Sequence, residues 1–146
     1  MRKHIGAAVL VAALLGAPAW SQAQGNLAAP GTAETVTLAV TGANAILSAT
    51  TFEFLTGKYY RLTITSDGNA EVQFAAQTFF NNVWVNQVVA GGVEIRMWGN
   101  TFKAIEVGEG GPMEVNIFFV PVRPGEHQFT FVGDAPAGTG GTLVIR

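Results

Sequence analysis

The sequence predicts an all-β domain, a sandwich of about eight short strands, and three observations point there. Apolar residues alternate with polar ones over many short runs, glycine-rich turns separate the runs, and no amphipathic helical period follows the N-terminal segment. The chain has 146 residues, the size of one folding unit. Charged residues make up only 12% against 49% apolar, which excludes a disordered or nucleic-acid-coating chain and supplies enough apolar surface for a packed core. A small closed barrel is the alternative arrangement of the same strands.

The first residues read as an address. Arg2, Lys3 and His4 open the chain, and an apolar run from Ile5 to Gly16 follows, the pattern of a secretory signal peptide. As a helix that run would span about 18 Å, short of the ~30 Å hydrocarbon core, so no stable membrane span is expected. Ala17-Pro18-Ala19 and Ser21-Gln22-Ala23 are both small-residue cleavage patterns, and the second is favoured. Residues 1–23 are therefore assigned as signal peptide, 24–33 as a flexible linker and 34–146 as the folded domain. Cleavage leaves six basic and ten acidic residues, a net charge of −4, and one histidine, His127. The expected destination is the bacterial periplasm by Sec-type export.

The strands follow in order. Glu34 to Val40 alternates and ends at Thr41-Gly42. Ala43 to Ser48 has the length of a single helical turn. Phe52 with Phe54, and Tyr60, Leu62 with Ile64, mark two strands around Thr56-Gly57-Lys58. Ser66-Asp67-Gly68-Asn69 is a turn, and Val72 and Phe74 beyond it share one face. Further strands are expected over Val83 to Val89, Val93 to Met97, Phe102 to Val107, Met113 to Val120, Gly125 to Val132 and Gly141 to Ile145. Trp98 falls in the expected turn before Gly99-Asn100.

Several runs resemble bacterial periplasmic cupredoxin-like domains: Leu55 to Leu62, Phe79-Phe80, Phe102 to Val107, Phe119 to Glu126 and the closing Gly138 to Ile145. The likeness lies in their order and covers roughly two-thirds of the chain, from Thr51 onward. It implies a Greek-key β-sandwich and, in copper-binding relatives, two His, a Cys and a Met as ligands. The matching positions here are Val72 for the first His, Phe131 for the Cys, Ala135 or Pro136 for the second His, and Thr139 for the Met. A type 1 copper site needs imidazole nitrogen and soft thiolate sulfur, and the sequence has no cysteine. Parity points Phe131 inward with Phe129 and His127, and Val72 inward with Phe74. The ligand pocket is thus expected to have become core, with no metal and no cofactor. The resemblance places the protein beside periplasmic metal handling or electron transfer as a non-catalytic accessory or binding module with a protein partner. The alternative is a copper or iron carrier using His127, Met97, Met113 and nearby Glu side chains.

Other chemistry has thin support. Without its leader the chain keeps two serines, Ser48 and Ser66, neither in a nucleophile elbow, so a triad with His127 and Asp67 or Asp134 rests on residue types alone. Glu106, Glu109 and Glu114 flank a Gly-rich turn without the spacing of a calcium loop. The glycine runs at 108–111 and 138–141 precede no helix and read as turns. Lys58, Arg61, Arg96, Lys103 and Arg123 are scattered, so no nucleic-acid groove is expected. His127 reads as a core or rim histidine making one hydrogen bond. Trp84 and Trp98 are the candidate partner-binding side chains, with Trp84 either exposed as an anchor or packed on the second sheet.

Overall fold

The computed structural model describes residues 29–91, 93–99, 104–108 and 110–146, with the backbone alone for 93–99. The signal-peptide assignment, Phe102, Lys103 and Glu109 lie outside the described residues, as do the side chains of Arg96, Met97 and Trp98.

Eleven strands occur among the described residues: β1 Glu34–Thr41, β2 Ile46–Leu47, β3 Thr51–Phe54, β4 Tyr60–Ser66, β5 Val72–Ala75, β6 Val83–Ala90, β7 Val93–Gly99, β8 Ile105–Val107, β9 Met113–Pro121, β10 Gly125–Gly133 and β11 Gly140–Ile145. They form two sheets, ordered β2-β1-β4-β9-β6-β7 and β3-β11-β10-β5-β8. Two open-edged sheets make a sandwich and not a closed barrel. Neighbouring strands are antiparallel except β1 with β4 and β3 with β11.

Three local expectations need correction. Ala43 to Ser48 forms no helical turn: after a turn in which Ala45 takes φ +49°, Ile46 and Leu47 pair back onto Thr41 and Val40. Trp98 lies in the backbone of β7, which runs on to Gly99 because that residue pairs with Val85. Gln77–Phe80, anticipated only as a Phe-Phe motif, is a one-turn helix, α1. Ten of the eleven strands fall on the expected runs; the addition is β2, whose two residues are too few to show a period.

Alternation then builds the core. On β10, His127, Phe129 and Phe131 are buried while Glu126, Gln128, Thr130 and Val132 are exposed. The apolar sides of both sheets meet in an aromatic interior. Phe54 touches Tyr60 and Phe119 edge-on at 5.1 and 5.3 Å between centroids, and Phe79 on α1 meets Phe119 at 5.3 Å. Edge-to-face contacts of this kind add roughly 0.5–1.5 kcal/mol each beyond burial. The core therefore runs between the sheets from one end of the sandwich to the other. Loops at its two ends are left to carry any site.

Candidate functional site

One end of the sandwich carries the positions matched to copper ligands. Val72 opens β5 opposite Gly133, and Phe131 pairs with Phe74. Val72 is fully buried and Phe131 is 3% exposed. The Phe131 ring packs on Phe74 at 5.4 Å and edge-on against Phe129 at 6.1 Å, with Ala135 of the following loop against the same core. Thr139 is the one matched residue with a polar side chain, and its hydroxyl donates to the Pro136 carbonyl at 2.8 Å. Its own carbonyl accepts from the Phe131 N–H at 2.9 Å. Two carboxylates fasten the surrounding loops. Asp134 accepts from the Glu71 N–H at 3.0 Å while its N–H donates to the Glu71 carbonyl, also at 3.0 Å. Asp67 accepts from the N–H groups of Gly42 at 2.7 Å and Asn69 at 3.0 Å, which hold its carboxyl below the usual range. Gly133 seals the corner: its φ is +99°, and a Cβ there would stand 2.6 Å from the Glu71 carbonyl oxygen.

His127 belongs to the other half. It sits two residues into β10, faces the core and is 8% exposed. Phe79 meets its ring edge-on at 6.0 Å, and Nε2 has no hydrogen-bond partner. The one hydrogen bond expected of this histidine is therefore not made at Nε2. Nε2 is crowded by main chain, since a Cβ on Gly125 would lie 3.1 Å away. Burial holds the imidazole below its ordinary pKa and favours the neutral form.

The remaining candidates do not converge. Met113 pairs with Ser66 at the far end of β9, roughly 20 Å along the strands from His127 at ~3.3 Å per residue. Ser66, with Asp67, is likewise remote from His127, and its Oγ accepts from the Gly68 N–H at 3.1 Å. Ser48 Oγ accepts from the Ala39 N–H at 2.9 Å. Glu114 accepts from the Asn116 amide at 2.7 Å, and Glu106 is exposed on β8. Among the described residues no three His, Cys, Asp or Glu side chains gather as a metal site, and no helix is long and apolar enough to cross a membrane.

The open geometry is at the end opposite Val72. The Pro121–Gly125 connection meets the chain leaving α1: the Asn82 carbonyl accepts from the N–H groups of Val122 at 2.9 Å and Arg123 at 3.2 Å. The Asn82 side-chain amide donates to the Thr78 carbonyl at 2.7 Å. Between these segments lies a half-open recess of about 200 Å3, lined by Asn81, Asn82, Val83, Trp84, Val122 and Arg123. Trp84 stands opposite Val120 on the outer face of its sheet and is 40% exposed, so it is not packed on the second sheet. Val122 is 65% exposed. Leu55 is exposed nearby, on a turn whose Gly57 N–H donates to the Pro121 carbonyl at 2.9 Å. The recess was not legible beforehand, because it depends on hydrogen bonds between segments some forty residues apart.

No family model matches the chain, and no curated protein matches it in sequence. Solved structures match it in shape. A laccase from Pediococcus acidilactici superposes with a TM-score of 0.53 at 8% identity, over 84% of this chain and 29% of the laccase. A second multicopper oxidase gives 0.52 at 10% identity, over 77% of this chain and 44% of its own. The multicopper oxidase of Campylobacter jejuni, a metallo-oxidase, gives 0.50 at 9% identity, over 77% and 30%. The chain spans less than half the length of the oxidases it matches. At such identities the common property is the fold, and the domain is a cupredoxin-like β-sandwich.

Proposed function

We propose that this protein is an exported, non-catalytic cupredoxin-like module that acts in the periplasm through its exterior, without a type 1 copper site, serving a metal-handling or electron-transfer system. One observation carries the reading. The positions that would present copper ligands hold Val72 and Phe131, which have no lone pair to offer, and Thr139, whose hydroxyl is engaged with Pro136. Type 1 copper binds thiolate and imidazole, so these residues do not fit the ion. Each buried Val or Phe instead contributes about 1.5–3 kcal/mol of transfer free energy to the fold. The exposed Trp84 and Val122, at the other end, supply the apolar surface a binding module needs. A carrier using His127 with Met113 has the unpartnered Nε2 in its favour, but that atom is buried and the fold keeps the two side chains at opposite ends.

Metal analysis of the protein purified from copper- and iron-replete cells tests the reading. The expected result is far less than one equivalent of either metal. Stoichiometric metal that disappears on His127→Ala would replace the module with the carrier.

A further inference from the structure

Resting on the binding-module reading, we infer that the recess between Trp84 and Arg123 takes a carboxylated sugar ring, a hexuronate unit of an acidic glycan. Its volume of about 200 Å3 equals six or seven waters at ~30 Å3 each, which suits one substituted six-membered ring and not an extended ligand. The lining offers the two contacts such a ring needs. Trp84 presents a partly exposed indole beside Val122, a flat apolar surface for the C–H face of a pyranose. Arg123 supplies a planar guanidinium that makes no ion pair among the described residues, whereas Lys58 pairs with Glu34 and Arg146 with Glu53. Arg123 lines this partly apolar recess, and a guanidinium without an ion pair among the described residues matches a carboxylate in charge and in bidentate geometry.

The main chain argues against an extended peptide as occupant. The Val122 and Arg123 N–H groups both donate to the Asn82 carbonyl, and the Pro121 carbonyl accepts from Gly57, so the loop keeps no open ladder for a strand to join. A sugar brings its own hydroxyls and needs no such ladder. The arrangement distinguishes acidic from neutral rings through Arg123 alone, with Trp84 serving both.

The test is an NMR titration of the purified protein with trigalacturonate and, separately, with the neutral galactose trimer of the same linkage, following the Trp84 indole N–H identified by its loss in Trp84→Phe. Trigalacturonate should shift that resonance with a Kd in the roughly millimolar range. Arg123→Gln should weaken trigalacturonate about tenfold and abolish its preference over the neutral trimer. Trp84→Ala, checked for folding by circular dichroism, should abolish binding of both, and Val132→Ser, exposed at the opposite end, should change nothing. Equal affinity for the two trimers, unchanged binding in Arg123→Gln, or no binding by a correctly folded protein would each overturn the assignment. A metal-free protein that ignores both trimers but photo-crosslinks a protein through position 84 overturns the glycan and leaves the module standing. Stoichiometric metal overturns the module itself.

Discussion

The two ends of this sandwich show opposite uses of one scaffold. At the end that carries the positions matched to copper ligands, Phe131, Phe74 and Phe129 pack on one another beside the buried Val72, and Asp67, Asp134 and Gly133 lock the loops above them. At the other end Trp84, Val122 and Leu55 stay in contact with solvent around a recess whose walls are tied together by the Asn82 carbonyl. Buried apolar atoms at the first end stabilise the fold. Exposed ones at the second do not, and are free to bind.

That contrast can be broken most forcefully at Phe131. Phe131→Ala leaves a cavity between two aromatic neighbours, Phe74 and Phe129, and should cost about 3–5 kcal/mol in urea denaturation. A cost below about 1 kcal/mol would mean that this end is loosely filled. Gly133→Ala should cost less, about 1–2 kcal/mol, because φ +99° disfavours a Cβ and the Glu71 carbonyl stands in its way. An unchanged unfolding midpoint would show that the corner is not sealed as described.

His127 gives a pH-dependent comparison. Its folded pKa lies below the ordinary value of 6.5 because burial disfavours the imidazolium. Between the folded and unfolded values the unfolded chain binds the extra proton, so stability rises with pH. The contribution is complete above pH ~6.5 and is lost as pH falls from there toward the folded pKa. Subtracting a His127→Leu series from wild type should isolate this acid-side loss. Identical pH profiles for the two proteins would contradict a neutral, desolvated imidazole. The smallest effects belong to the open end: Trp84→Ala and Val122→Ser should each move stability by no more than ~0.5 kcal/mol. A loss of several kcal/mol at either would make that surface part of the core.

Much of this was legible in the chain because alternation reports which face a strand buries. Glu34 to Val40, Val72 with Phe74, and His127-Phe129-Phe131 all face as their parity requires. Alternation gave the inward direction of Val72 and Phe131, while their match to copper-ligand positions came from the resemblance alone. What stayed hidden is too short to show a period or depends on distant partners. Ile46–Leu47 is a strand only because Val40 and Thr41 accept it as a neighbour, and the one-turn helix Gln77–Phe80 has no capping side chain to announce it. The recess needs Asn82 to meet Val122 and Arg123, and no local pattern carries that encounter. The unpartnered Nε2 of His127 was missed because parity gives a direction and not a list of neighbours.

The most direct measurement is the urea unfolding midpoint as a function of Cu(II) concentration, since an ion that binds the folded state raises stability by mass action. The midpoint should be the same in excess chelator and in excess Cu(II). A midpoint that climbs with Cu(II) and falls back in Thr139→Ala, which removes the only hydroxyl among the matched positions, would place metal where this account places hydrocarbon.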